Sequence, residues 1–554
     1  MSLTKVTYAM IQSAPFNVID YGADKTGATD STVAIQAAIT AATQTAGRGN
    51  TVFFPAGIYK VSATITVPAT AQGISMVGEG QTRTMIYRNT DYGDTFVFGA
   101  STAAAIESSI ISNLFFYHDY GGYENGQLPS TLVNKPTSGA HLNLWNPIRF
   151  SIRNCTIWNM PTNIWFHGGS KSEVVSCAFR GSWDNTSTQA QVTTESIWLT
   201  QGSAASSYAL PTDIHIRDND FTGYLSAARS VTYGTVTVTQ NENVGPLSMI
   251  RINASEVIQI SGGNMGGAND AAVTIEPLNR ITCLSIFISG VFFDGNRLSG
   301  IRCTNAGGTQ ACTNLSITDN IFIGQNNSQN AIWFGNLAAD PIPSVVAGTI
   351  ANNNISNYVK TAIVSLRADG LNINNNIIRD YNTLAGFNAD AFGSTGIYLA
   401  SGNNKVKINN NQIGGGFAFE PYDGTSTSAC EYGIIVESGV TYYDLIGNVI
   451  PTQLVGIATI ADGGLASDHK YIVSNDGYNS GHTIVTPAVP ATTVSLLNPY
   501  GTQAYIHIYG GTVSDISVNG TSISAATNVY IFIGPKDTIS LTYAVAPSWA
   551  WWIQ

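Results

Sequence analysis

Glu276 stands next to last in the phrase AAVTIEP, and Arg251 and Arg302 stand at matching places in two kindred phrases, SMIRINA before it and SGIRCTN after it. A carboxylate between guanidinium groups is held in one protonation state, which suits acid–base or nucleophilic work. Hydrolysis of a glycosidic bond needs two such carboxyls, one to protonate the leaving oxygen and one to act as base or nucleophile. Glu276 is the first candidate. Its partner is sought among Asp294, at the end of the second strand of the same repeat in ISGVFFDGN, Asp270 and Glu256 from the coil below, and Asp319 from the coil above. Acids in turns commonly bond their own backbone, and each of these four has that structural reading as well.

The phrases that carry Glu276, Arg251 and Arg302 belong to a longer series: TNIWFHG, ESIWLTQ, NAIWFGN, TAIVSLR, TGIYLAS, YGIIVES and VGIATIA. Each has a Gly or other small residue, then Ile or Val, then alternation. A second alternating phrase rich in Asn follows most of them, as in LSITDNIF, LNINNNII and VKINNNQI. Two short strands per repeat without helical periodicity define a β-solenoid, a rod of stacked coils. The Ile and the residue two beyond it point inward, so the residues between and after them face out. One outward column is then Trp165, Trp198, Arg251, Thr274, Arg302, Trp333, Val364, Tyr398 and Ile435. The other is His167, Thr200, Asn253, Glu276, Thr304, Gly335, Leu366, Ala400 and Glu437.

With coils about 4.8 Å apart, a polysaccharide along this face would meet aromatic, guanidinium, amide and carboxylate groups in turn. Trp165, His167, Trp198, Arg251, Asn253, Arg302, Trp333 and Tyr398 are the candidate sugar contacts. The alternative for the tryptophans is packing against another subunit. Carboxyls on adjacent coils would lie about 5 Å apart and suit a retaining mechanism, whereas carboxyls two coils apart, at about 9–10 Å, suit an inverting one. A lyase is the rival chemistry, with His167 as base and Arg251 or Arg302 beside a uronate. Asn in the repeated IANNNISN, INNNIIRD and INNNQIGG reads as structural, stacking at corners as amide ladders.

Composition agrees with a rod. Charged residues make up 11% of the 554 and hydrophobic ones 44%, which excludes a disordered chain. A net charge of −11, with 24 Lys and Arg spread throughout, argues against a nucleic-acid groove. No apolar run approaches the roughly 20 residues of a membrane span, and MSLTKVTYAM lacks the apolar core of a secretory signal. Export by lysis or on a particle is the expectation. Cys155, Cys177, Cys283, Cys303, Cys312 and Cys430 form no CxxC pair and no metal spacing, so they read as buried thiols, and neither metal nor cofactor is expected.

Residues 16–86 begin with a strand and then a helix capped by Asp30 or Ser31, with Ile35, Ala38, Ile39 and Ala42 on one face and an end near Gly47. An open solenoid end must be covered, and this helix is the expected cap. The run VIDYGADKTGATDSTVAIQAAI through VFFPAGIYKVS to ITVPATAQGISMVGEG resembles the N-terminal signature of the pectate-lyase-like right-handed parallel β-helix superfamily, in the form found in bacteriophage tailspikes. The preceding VTYAMIQSAPFNV is similar to the linker that joins a virion-attachment segment to such a helix, and FDGN at Asp294 to a Phe-Glu-Gly-Asn turn of phage depolymerases. The Arg-x-Pro-x-x-Arg of calcium-dependent pectate lyases is absent, as are the polygalacturonase patterns, so the resemblance does not carry those activities here.

The expected fold is all-β: a right-handed single-stranded parallel β-helix with an N-terminal capping helix and a small C-terminal β-sandwich. Residues 1–15 read as linker, 16–86 as cap and first coils, 87–484 as the β-helix with an insertion near 221–246, and 485–554 as the C-terminal domain. The terminal SWAWW is expected to be buried between subunits. The resemblance implies a homotrimeric virion tailspike, joined to a baseplate or tail adaptor through its N-terminus, that binds and hydrolyses a bacterial capsule or O-antigen at the host surface. The rivals are a lyase on the same scaffold, a spike that binds the glycan without cutting it, and a secreted pectinase-like enzyme.

Overall fold

The computed structural model describes residues 14–44, 49–90, 92–102, 105–118, 138–180, 194–202, 209–222, 224–233, 236–244, 247–277, 282–305, 310–324, 328–335, 342–381, 395–414, 432–450, 460–462, 470–473, 475, 486–498, 503–534 and 537–553, with backbone alone between 224 and 244. Cys430 lies outside these residues, and so does most of the phrase VGIATIA.

Each coil visits three parallel sheets in order, here A, B and C. One turn runs through Ile258–Ser261 in sheet A, Asn264–Gly266 in B and Ala271–Ile275 in C, and returns to A at Cys283–Ser289. The next coil stacks on it without slippage: Ile260 pairs with Ile288, Met265 with Phe293 and Val273 with Ile301. Sheets B and C hold 13 strands each among the described residues. The whole is a right-handed parallel β-helix, the hand that right-twisted strands favour in parallel connections. Side chains from all three sheets meet in one continuous core, where like residues stack: the rings of Phe293 and Phe322 lie 4.5 Å apart and 4° from parallel.

The small residue of the repeated phrase has a physical cause. In sheet C two consecutive residues turn inward, such as Ala272 and Val273 or Ala331 and Ile332, all fully buried. The first of the two has almost no room, and a Cβ on Gly300 would come within 2.8 Å of the Phe322 ring. This break in alternation also turns the residue before the pair outward.

The A-to-B corner takes two residues. The first adopts the left-handed conformation and is Asp218, Gly262, Gly290, Asp319, Asn352, Asn375 and Asn410 in successive coils. From Asn320 to Asn448 the second is buried and builds the expected ladder. Asn353 donates from its backbone N and Nδ2 to Asn376 Oδ1, and Asn376 donates in the same way to Asn411. Asn411 continues to Asn448, and each Nδ2 also donates to an interior carbonyl, Ile350 O for Asn376. Lower in this column stand Cys155 and Cys177, buried and free like Cys283, Cys303 and Cys312.

The helix Thr32–Gln44 covers the first coil through Ile35, Ala38, Ile39 and Ala42. Asp30 Oδ1 accepts from Thr32 N at its start. The break in the repeat is an antiparallel hairpin, Tyr224–Tyr233 with Val236–Val244, forming its own two-stranded sheet between a B strand and a C strand. At the C-terminus two antiparallel sheets enclose a separate core of Ile506, Ile508, Ile516, Ile533, Ile539 and Leu541. Asn519 and Gly520, both at positive φ, make the two-residue turn between Val518 and Thr521. Here one expectation is corrected. Strand alternation sends Trp549 and Trp551 into this unit's own core, so they need no partner subunit to cover them, and of this pair's neighbours Trp552 faces out.

Asn376→Ala would strip partners from Asn353 N, Asn353 Nδ2 and Ile350 O in the dry corner. It is expected to destabilise the rod by about 2–4 kcal/mol, read as a lower urea midpoint. A loss under about 0.5 kcal/mol would show that the ladder is not a source of stability.

Candidate functional site

The outer face of sheet C carries the candidate residues in the expected files. Trp165 pairs in register with Trp198, Trp198 with Arg251, Arg251 with Thr274, Thr274 with Arg302 and Arg302 with Trp333. The second column continues as a backbone ladder: Glu276 N donates to Ile252 O and Thr304 N to Ile275 O. The wall is largely closed, for Asn253 is 1% exposed, Thr274 2% and Tyr398 2%.

Its lower part is an aromatic stack. Trp145 and His167 lie face to face, 3.7 Å apart and 4° from parallel, Trp165 is 4.4 Å from His167, and Trp165 and Trp198 stack at 4.5 Å. Arg251 follows, its guanidinium carbon 5.7 Å from the Trp198 centroid. The ring faces of Trp165 are therefore taken by its neighbours along the rod, and what it turns to solvent is an edge. The indole N–H groups are engaged too, Trp165 with Thr200 Oγ1 and Trp198 with Asn253 Oδ1. Higher up, Trp333 donates to Gly335 O, and Tyr398 donates its hydroxyl to Glu437.

The centre of the wall is a charge cluster. Arg251 reaches Glu195 at 2.8 Å with Nη1 and Glu276 at 2.6 Å with Nη2. The planar fork keeps the bonded oxygens of those two carboxylates within about 8 Å of each other. Arg302 grips Asp270 with both Nη atoms, each at 2.7 Å. Asn253 donates to Glu276 O and fixes the strand end. Burial pushes the Asp270 carboxyl above the ordinary range, against the pull of Arg302 and Arg251 and with the negative charge of Glu276 adding to the rise. Burial acts to lower Arg251, but its hydrogen bonds to Glu195 and Glu276 more than offset that and hold it above the usual arginine value.

The structure thus puts Glu276 and Asp270 at the two ends of the strand Ala271–Ile275 and in one electrostatic cluster, apart from Asp294, Glu256 and Asp319. Asp294 lies on the outer face of sheet B, where Phe293 fills the interior position. Glu256 is exposed in a turn leading to sheet A and accepts from Thr212 Oγ1. Asp319 is the left-handed corner residue between A and B, a conformation its short polar side chain tolerates. Arg302 belongs to Asp270 rather than to Glu276.

Three wall residues lie outside the sequence-based set: Glu195, Trp145 and Asn143. Glu195 precedes the two consecutive inward residues, so strict alternation places it inside, whereas its carboxylate meets Arg251 on the outer face. Trp145 sits in LNLWNP, which lacks the Gly-Ile signature, yet pairs in register with His167.

Two wall-side imidazoles are neutral. His141, in the interior, donates from Nε2 to Trp158 O, and burial drives it down to about 3. His167 is lowered by burial to about 4. Above pH about 6.5 neither state of the chain protonates them, so they do not tilt folding. As pH falls below that value the unfolded chain takes up these protons first, and stability drops by up to about 1.4 kcal/mol per pH unit per histidine until the folded values are reached. Calorimetric melting points should fall between pH 7 and pH 5, with a shallower slope in His141→Gln even if its starting midpoint is lower. An unchanged slope would contradict the buried neutral imidazole.

Residues 15–256 match the family model described as rhamnogalacturonase A/epimerase, pectate lyase-like. No curated protein sequence matches the chain. Among solved structures it is similar to PfbA, a surface adhesin of Streptococcus pneumoniae, with 16% identity, a TM-score of 0.48 and coverage of 83% of this chain and 91% of that one. It is also similar to the A-module of the Azotobacter vinelandii mannuronan C-5 epimerase AlgE4, with 14% identity, a TM-score of 0.47 and coverage of 82% and 99%. The Dettilon tailspike protein gp208 has 14% identity, a TM-score of 0.47 and coverage of 90% and 74%. Function rests on the wall itself. The match to the pectate-lyase-like family model runs from the cap to just beyond Arg251, over residues 15–256.

Proposed function

We propose that the outer face of sheet C binds a bacterial surface polysaccharide, capsule or O-antigen, and cuts it by glycosidic hydrolysis, with the chain serving as a homotrimeric phage tailspike attached to the virion through its N-terminus. The observation that carries this reading is the file itself: an aromatic stack leads without interruption into a cluster of three carboxylates and two arginines on one rigid wall. Asp270 suits the general acid, because its burial favours the protonated form. Glu276, tied to Arg251, suits the base or nucleophile. Exposed Ile321 and Ile377 on the outer face of sheet B, beside Phe292, support contact between copies on that side.

Binding without cleavage is the second reading. The observation in its favour is that Glu195, Glu276 and Asp270 are each already held by an arginine. Digestion of a panel of purified capsules and lipopolysaccharides separates the two. Hydrolysis yields new reducing ends with no ultraviolet-absorbing unsaturation. On the polymer that is cut, Glu276→Gln and Asp270→Asn should each lower kcat by roughly 10²–10⁴-fold with binding retained. Full activity in both variants would move the reaction to another surface. A polymer bound but left intact would make the protein an adhesin, and unsaturated products would make it a lyase.

A further inference from the structure

The chemistry of the wall limits what sugar it can take. In the upper cluster Glu195, Glu276 and Asp270 outnumber Arg251 and Arg302, and the Nη groups of both arginines are occupied by carboxylates of this same chain. An anionic sugar would have to displace one of them and leave it unpaired in a largely buried place. It would also approach a chain of net charge −11.

The lower part excludes anions by hydrogen-bond parity. Asn143 and His167 are 8% and 6% exposed, and each has one buried polar atom without a partner, Oδ1 and Nε2. Asn143 spends Nδ2 on Asp94, so its orphan is an acceptor. The Thr200 hydroxyl donates to Phe166 O, so at the Thr200 contact it is His167 Nδ1 that donates, which leaves Nε2 a bare lone pair. Both orphans therefore need a hydrogen from the ligand, and a carboxylate or phosphate has none to give. Trp145, two residues beyond Asn143 on the same strand and in register with His167, is the foot of the stack. One ring face is covered by His167, and among the described residues the one beneath Trp145 in the next coil is Gly99, which has no side chain to cover the other.

We propose that this wall selects an uncharged stretch of glycan, whose hydroxyl groups donate to Asn143 Oδ1 and His167 Nε2 beside the open end of the Trp145 stack, and that it rejects uronate-bearing repeats. This rests on the glycan-binding reading above. It names Asn143 and Trp145 as sugar contacts and specifies the substrate class.

The test uses the full-length protein on purified capsular and O-antigen polysaccharides of known composition, neutral and uronate-bearing, together with carboxyl-reduced forms of the acidic ones. The expected result is binding or cleavage of neutral polymers, with a half-saturating concentration that changes less than about twofold between low and high salt. A carboxyl-reduced polymer should bind better than its acidic parent. Asn143→Leu, which removes the acceptor, should weaken binding of the neutral polymer about tenfold, with the melting temperature measured alongside to separate lost binding from lost fold. Preference for an acidic polymer, with affinity falling steeply as salt rises, would overturn the selectivity while leaving the glycan-binding reading intact. If none of these polymers binds, the reading beneath it fails, and the selectivity with it.

Discussion

A coil of this rod cannot satisfy its own backbone. Every strand in sheets A, B and C finds its hydrogen bonds only in the coils above and below, in parallel and in register. From that constraint follow both the core and the site. Interior residues must stack on their like, as Phe293 does on Phe322 and Asn353 on Asn376, and exterior residues must stand in file whether or not they attract one another. A catalytic or binding array on such a surface costs little to position, because the register that holds the fold together also fixes spacing along the rod.

Because register is so strict, the files were legible in the sequence. Alternation from each Ile placed Trp165, Trp198, Arg251, Arg302 and Trp333 in one column, and the pairing agrees with that order. The same periodicity misplaced Glu195, since two adjacent residues in each C strand turn inward and reverse the phase before them. The small residue of the repeat was a visible trace of that event; its meaning depends on the third dimension, where the Phe322 ring fills the space a side chain at Gly300 would need. Asp294 and Glu276 looked close in one repeat, yet a corner separates sheet B from sheet C, and the turn angle is not written in residue spacing. The tryptophans posed a similar limit. Their column was readable, but not that adjacent rings would take each other as stacking partners.

Electrostatics on the wall obeys the rule for half-buried charges. Glu195, with a side chain 4% exposed, would be costly alone, and Arg251 serves it and Glu276 at once. Asp270 and Arg302 form a second, two-pronged pair, Asp270 at the opposite end of the strand Ala271–Ile275 from Glu276 and Arg302 in the next coil. Thr274 stands in register between Arg251 and Arg302, its hydroxyl bonded to that of Ser248.

That arrangement has a consequence for chemistry. A carboxylate bound by arginine is a poor proton donor, so an acid must either escape its partner or be buried enough to outweigh it. Asp270 is the wall residue in which burial prevails over two arginines, with the charge of Glu276 pushing in the same direction. Asp270 and Glu276 thus stand in different settings, one dominated by burial and the other by its ion pair with Arg251, and the proposed acid–base cleavage draws on that difference. Hydrogen bonding to sugar hydroxyl groups alone would not call on that difference between the two carboxyls.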